Sequence, residues 1–280
     1  MLVTGGCGFF GAWICKGLLE RGAAVTVFDV ERFTARMEMT MTPAQIASIT
    51  FLTGKVDEHA FVEAVIAAAP DAVVHLSALH IPHCRDAPLL GARVNVIGSL
   101  NVFEAAKALK AAGKPAPRIV YASSAAVFGP DAEYGEAPVS DASAPKPSSH
   151  YGAFKLCVEH CARAYWTANG LRSIGLRPLT VYGPGRDLGM TSEPTKAIKA
   201  VLLGRPYAIN FGGWSDFQYV DDVAQAFILS LERPYQGAKS YNLRGAVVTL
   251  ADYHAALTRV LPEAGELVTV GTSQIAICYD

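Results

Sequence analysis

In SSHYGAFKL, residues 148–156, Tyr151 stands four residues before Lys155. A phenol beside an ammonium can exchange a proton with a substrate hydroxyl: free tyrosine has a pKa of about 10 and needs a cation to stabilise its phenolate near neutral pH. The pair must sit on a helix to share a face. Ser148 or Ser149 can cap such a helix, which runs through AFKLCVEHCARAYWTAN to a stop at Gly170. A second Tyr-x-x-x-Lys, Tyr235 and Lys239, follows Arg233-Pro234 and encloses Gly237, so it reads as a turn.

A second chemical stretch is TGGCGFFG, residues 4–11. It follows a strand, opens a helix, and spaces Gly5 or Gly6, Gly8 and Gly11 as a dinucleotide-binding turn requires. The glycines allow a tight turn and close approach to a diphosphate, while the helix start offers free N–H groups. Asp29, at the end of AVTVFD, is placed to accept hydrogen bonds from an adenosine ribose diol. It would repel a 2′-phosphate, so NAD is expected over NADP, with Arg32 nearby moderating that preference.

Short apolar runs alternate with longer helical patterns up to about residue 180: LVT, AVTVFD, ITFLTG, AVVHLSA, RIVYASS and RSIGLRP are the runs. Near-continuous apolar runs are the mark of parallel strands covered on both faces, so the expected fold is α/β, a doubly wound parallel (Rossmann) sheet. Beyond residue 180 the loops lengthen, and a smaller C-terminal α/β lobe is expected over the strand ends. The expected division is a cofactor domain with the catalytic helix over 1–177 and a mainly substrate-binding lobe over 178–280, interleaved with it.

With 280 residues, 18% of them charged, the chain can bury a full core. A net charge of -1 and the lack of a basic run argue against nucleic acid and membrane surfaces as partners. MLV leads directly into the glycine loop, without the pattern of a signal peptide, and no apolar run approaches the ~20 residues of a spanning helix, so a cytoplasmic location is expected. The brief first strand and the ending ICYD raise the expectation of further residues beyond one of the ends. Six cysteines, at 7, 15, 84, 157, 161 and 278, form no Cys-x-x-Cys pair and read as buried thiols.

Several motifs occur in order: TGGCGFFG, HLSA (75–78), VNVIGSLNVFEAA (94–106), VYASSAAVFG (120–129), YGAFK, LRPLTVYGPG (176–185) and DFQYVDDVA (216–224). In these the chain resembles the extended short-chain dehydrogenase/reductase family, in its NAD-dependent epimerase/dehydratase group. The resemblance implies that Ser124, Tyr151 and Lys155 are catalytic. Tyr151 would be the acid/base that takes a carbinol proton, Ser124 would bind the reacting oxygen, and Lys155 would lower the phenol pKa and bond the nicotinamide ribose. It assigns to NAD Gly5, Gly8, Phe9, Phe10, Gly11, Asp29, Val56, Leu76, Ser77, Ala78, Pro178 and Leu179, with Tyr151 and Lys155. Asn95 joins this set mainly as a brace for the loops. It also implies a homodimer built on the helices over 94–112 and 151–169. A non-catalytic NAD-binding scaffold would not need all three of Ser124, Tyr151 and Lys155.

Family dehydratases carry an acidic pair where this chain has Ala125 and Ala126, which disfavours dehydration. Nucleotide-sugar enzymes of the family typically place an arginine at the position of Ser215, and many an asparagine at that of Thr180. Lys55 stands where an aspartate is usual near the adenine. The first two departures favour a small sugar, polyol or sugar acid over a UDP-sugar, whose epimerisation is the alternative, and the third bears on the adenine contacts. Ser124, Ala125 and Thr180 would line the substrate, and His80 and Arg186 are candidate anchors for a carboxylate or hydroxyl. No metal is expected: His80, His83 and Cys84 lack a recognisable fourth ligand. Cys157 and Cys161 read as small packing residues, and Met37, Met39 and Met41 as a mobile loop.

Overall fold

The computed structural model describes residues 1–130, 133–134 and 138–274, so Cys278 lies outside the described residues. The chain begins with β1 (Leu2–Thr4), α1 (Phe9–Glu20), β2 (Thr26–Asp29), α2 (Ala35–Glu38), α3 (Pro43–Ala47), β3 (Thr50–Thr53) and α4 (His59–Ala68). There follow β4 (Ala72–His75), α5 (Ile81–Asp86), α6 (Pro88–Ala92), a π-helical turn (Arg93–Ile97), α7 (Gly98–Ala111), β5 (Arg118–Ala122), α8 (His150–Asn169) and β6 (Ser173–Arg177). The last part contains β7 (Thr180–Tyr182), α9 (Glu193–Leu202), β8 (Tyr207–Ile209), β9 (Trp214–Tyr219), α10 (Val220–Glu232), β10 (Ala238–Asn242) and β11 (Ala246–Thr249). It ends in α11 (Leu250–Val260), α12 (Ala264–Leu267) and β12 (Val268–Val270).

Seven strands form one parallel sheet in the order β10-β6-β5-β4-β1-β2-β3. The apolar runs explain its two covered faces. Val3, Val27, Val74 and Val120 pack under α1 and α10, whereas Leu2, Phe28, Val73 and Ile119 pack under α4, α7 and α8. Strand side chains alternate between faces, so a sheet buried on both sides needs an apolar residue at nearly every step. The order reverses between β1 and β4, and a doubly wound sheet opens a crevice outside the strand ends at that reversal.

Beyond β6 the chain leaves this sheet and returns to it. β7, β9 and β11 form a three-stranded sheet and β8 pairs with β12, with α9, α11 and α12 closing a separate core around Phe211 and Phe217. Between these pieces α10 packs on α1, and β10 supplies the edge strand beside β6. The methionine stretch is not a loose loop: Met37 and Met41 are buried in the core beneath α1, and only Met39 is exposed. Cys7, Cys15 and Cys84 are buried, but Cys157 is exposed on α8 and is not a packing residue. Its Sγ lies 4.0 Å from that of Cys161, one turn further along.

Candidate active site

β5 delivers Ser123 and Ser124 to the carboxyl end of the sheet. There the Ser124 hydroxyl accepts from the Ala126 N–H at 3.1 Å and caps a 3-10 turn, Ala125–Val127. The Ala125 N–H donates to the Pro178 carbonyl at 3.1 Å, tying this turn to the end of β6. Helix α8 arrives with Ser149 as its N-cap, the hydroxyl accepting from Gly152 N–H at 3.1 Å, and stops at Gly170 with φ 64°. A Cβ on Gly152 would come within 1.9 Å of the Ala126 carbonyl oxygen. The glycine after Tyr151 thus lets the helix start sit directly on the Ser124 turn, which brings the Tyr151 phenol close enough to the Ser124 hydroxyl for that hydroxyl to lower its pKa.

One turn on, Lys155 is buried and donates to the Ala122 carbonyl at 2.7 Å, its ammonium 5.6 Å from the Tyr151 ring centre. A further turn on, Glu159 accepts two bonds from Arg177, at 2.8 and 2.6 Å, and one from Ser123. Tyr151, Lys155 and Glu159 therefore form one strip of α8 facing β5 and β6. Burial pushes the Tyr151 phenol up to about 12, opposed by the Ser124 hydrogen bond and the Arg186 charge. Burial also lowers Lys155 to about 8, opposed by Cys84 and Glu159. The second Tyr-x-x-x-Lys pair lies elsewhere: the Tyr235 hydroxyl meets the Ile119 carbonyl at 3.4 Å, and Lys239 is in β10.

Beside this strip a cavity of about 590 Å³ runs along the crevice. Of the sequence-predicted cofactor residues, Gly5, Gly8, Phe9, Phe10, Gly11, Asp29, Val56, Leu76, Ser77 and Ala78 line it. Gly5 has φ +68°, and a Cβ there would press on the Ser77 N at 2.9 Å; a Cβ on Gly11 would lie 2.5 Å from the Gly5 carbonyl oxygen. Among the described residues no side chain caps α1 and no acid occupies its first turn, so its free N–H groups suit an anion. Asp29 accepts from Cys7 and Val30 N–H at 3.0 and 2.8 Å, and burial raises its carboxyl. A glycine cradle, an uncapped helix start and an acid at the end of β2 fit a dinucleotide.

Other expected residues sit outside the cavity lining. Asn95 is 1% exposed; its amide accepts from Leu79 N–H at 2.7 Å and donates to Leu79 O at 2.9 Å, which makes it a brace of the β4 loop rather than a cofactor contact. Thr180 is wholly buried, with its hydroxyl 2.7 Å from that of Ser215, so it is not open to a substrate. Pro178 and Leu179 follow β6, where Leu179 N–H donates to Gln218 at 3.2 Å. His80 and Arg186 both line the cavity. Surrounding protein, then the charges of Arg186 and Lys155, push the His80 imidazole down to about 4, so it is neutral at neutral pH. Among the described residues no group of three His, Cys, Asp or Glu is placed to hold a metal, and no helix is long and apolar enough to cross a membrane.

Sequence reasoning missed Arg36 and Asp187, which also line the cavity and pair with each other at 3.0 and 2.8 Å. It missed the Glu159–Arg177 pair as well, although Glu159 continues the four-residue spacing of Tyr151 and Lys155.

A doubly wound sheet with a glycine cradle at its switch point and a Ser-Tyr-Lys cluster beside it defines a dinucleotide-dependent protein of the short-chain type. Residues 1–243 match the NAD dependent epimerase/dehydratase family, and the chain belongs to that family, whose cofactor is NAD. It is 27% identical over 282 residues to UDP-glucuronate 4-epimerase 3 of Arabidopsis thaliana, covering 96% of this chain and 63% of that protein. The chain thus spans less than two thirds of that relative's length. Among solved structures it is similar to the UDP-N-acetylglucosamine 4-epimerase of Methanobrevibacter ruminantium in complex with UDP-N-acetylmuramic acid. The TM-score is 0.84 at 26% identity, over 99% of this chain and 86% of that one. It is also similar to the Thermus thermophilus UDP-glucose 4-epimerase in complex with NAD, with a TM-score of 0.79 at 27% identity over 99% and 88% of the two chains.

Proposed function

We propose that this protein is an NAD-dependent oxidoreductase acting at a carbinol of a small sugar, polyol or sugar acid, with Tyr151 as acid/base. The observation that carries the reading is the start of α8 packed directly on the Ser124 turn, with the buried Lys155 ammonium 5.6 Å from the Tyr151 ring and both beside the glycine-lined cavity. When bound, NAD supplies the hydride acceptor and donor. The glycine cradle and the first turn of α1 would hold its diphosphate, and Asp29 its adenosine ribose. Val56 would contact the adenine side, and Leu76 to Ala78 with Pro178 and Leu179 the nicotinamide side.

Tyr151 takes the proton from the substrate hydroxyl during oxidation and returns it during reduction. Ser124 holds the reacting oxygen while Tyr151 acts. Arg186, whose charge lowers the Tyr151 pKa, and Lys155, 5.6 Å from its ring centre, supply the positive charge that a buried phenolate needs, since burial alone makes Tyr151 a weaker acid than free tyrosine. Ala125 and Ala126 leave no carboxylate beside Ser124 to remove a carbon-bound proton, which favours oxidation, reduction or epimerisation through a ketone over dehydration. The 1–177 segment serves as the cofactor domain and 178–280 mainly as the substrate lobe. The protein works as a homodimer, for which α8 offers an exposed stripe of small residues, Ala153, Cys157 and Ala164.

Thr180 and Ser215 satisfy each other inside the fold and cannot clamp a diphosphate, which supports a substrate without a nucleotide. A second reading, epimerisation of a UDP-sugar, is favoured by the activities of the relatives named above. The test is a screen of free sugars, alditols, uronates and aldonates with NAD, followed by NADH absorbance, beside UDP-glucose and UDP-glucuronate assayed for epimers. NADH from a free carbinol supports the first reading; epimerisation of a UDP-sugar alone replaces it with the second.

A further inference from the structure

Arg186 lies in the loop after β7, with its backbone N–H donating to the Gly183 carbonyl at 3.1 Å. One terminal nitrogen donates to the Thr191 hydroxyl at 2.9 Å, while its Nε is buried without a hydrogen-bond partner among the described residues. The obvious counter-ion is its neighbour Asp187, but that carboxylate is drawn to Arg36 by two bonds. Arg186 therefore lines the cavity as a half-buried guanidinium with no ion pair among the described residues. A partly desolvated cation held only by a hydroxyl and an aromatic face is costly, and an arriving anion relieves that cost.

The position of the charge indicates which anion. The guanidinium lies 5.4 Å from the centre of the Phe9 ring, beyond the glycine turn, and lines the same cavity as His80; its charge acts on Tyr151 and His80, at the reacting end of the crevice. Asp29, at the adenosine end, responds instead to Val30, Cys7 and Glu31. A dinucleotide diphosphate already has the glycine cradle and the uncapped start of α1. His80, neutral beside the guanidinium, can share a hydrogen bond with a carboxylate or an adjacent hydroxyl without adding charge.

We propose that Arg186 anchors a carboxylate on the substrate, so that the carbinol oxidised at Tyr151 belongs to a hydroxy acid or sugar acid; this rests on the Tyr151 reading above. Thr191 fixes one terminal nitrogen of the fork, and the planar guanidinium presents the other to the carboxylate. The carboxylate sets which carbinol carbon faces the nicotinamide site.

The experiment uses the full chain with NAD and pairs of substrates differing only in the acid: a uronate against its aldose, an aldonate against its alditol. Wild type is expected to prefer the acid. In Arg186→Gln the ratio of kcat/KM for acid over neutral partner should fall at least about thirtyfold, chiefly through KM, and Arg186→Lys should restore part of it. A second readout needs no turnover: a dicarboxylate lacking any hydroxyl should raise the melting temperature of the NAD-bound wild type but not of Arg186→Gln. Preference for the neutral partner, or an unchanged ratio in Arg186→Gln, overturns the proposal. So does a fall in NAD affinity with no change in selectivity, which would assign Arg186 to the diphosphate. If no carbinol yields NADH, the Tyr151 reading fails separately, and the dicarboxylate shift still decides the anchor.

Discussion

The hydroxyls of Thr180 and Ser215 lie 2.7 Å apart, and neither residue has exposed surface. Strand β7 carries one and β9 the other, and the two strands are paired, so the hydrogen bond belongs to the sheet that floors the lobe. A diphosphate brought out of water needs charged donors to replace its hydration, and a mutually satisfied hydroxyl pair offers none. We expect millimolar UDP neither to raise the melting temperature of the NAD-bound protein nor to compete with its substrate. Stabilisation by UDP, which linkage would make about 2.7 kcal/mol at a hundredfold excess over its Kd, would show that another residue provides the clamp.

The placement of Tyr151 against the Ser124 turn and Lys155 leads to a comparison of two tyrosines. Tyr151→Phe should lower kcat at least about a hundredfold while NAD affinity stays nearly constant. Tyr235→Phe removes only a 3.4 Å bond to the Ile119 carbonyl and should leave kcat within about twofold. Equal losses in the two variants would mean that Tyr151 acts through packing alone.

For cofactor choice the important residues are Asp29 and Arg32. The Arg32 guanidinium sits 4.5 Å from the centre of the Phe51 ring. A phosphate beside the Asp29 carboxylate costs of order 1.4 kcal/mol or more, so NAD should bind at least about tenfold more tightly than NADP. Titration of both cofactors checks this, with Asp29→Ala expected to narrow the gap. Tighter binding of NADP to the wild type would show that the cations have outweighed the acid.

Most of the large sheet was legible because burial on both faces imposes long apolar runs, and because Gly5, Gly8 and Gly11 mark a turn that few other side chains permit. Helix α8 was legible from its cap, its stop and the Tyr151–Lys155 spacing. The lobe was harder: β7, β8 and β12 have only three residues each, too few to show a period. Thr180 was misread as a substrate contact because its partner Ser215 lies 35 residues away, and sequence shows an unusual residue but not the bond that satisfies it. The Arg36–Asp187 pair joins residues 151 positions apart and has no local signal at all. Met37 and Met41 looked like a loop because α2 is a single turn, and single turns have no amphipathic signature.

The last expectation concerns acid stability and comes from His75, at the end of β4. Its Nδ1 is 2.7 Å from the Thr4 hydroxyl and its Nε2 2.9 Å from that of Ser99, with 5% of the residue exposed. Burial first, and the Lys155 charge second, hold its pKa at about 3, against 6.5 for a free histidine. Between those values the unfolded chain binds a proton that the folded chain refuses. The unfolding free energy therefore rises with pH across this window and is lost as pH falls from about 6.5 towards 3, by up to about 1.4 kcal/mol per pH unit from this residue. His80 has the same sign but is open to the cavity and contributes less. Urea unfolding between pH 7 and pH 4 should show a shallower pH slope in His75→Gln than in the wild type, even though the variant is less stable at pH 7. Gln keeps a donor and an acceptor near Thr4 and Ser99 but cannot titrate. Parallel slopes in the two proteins would mean that His75 is not the group that the fold keeps neutral, and that carboxylates alone set the acid limit.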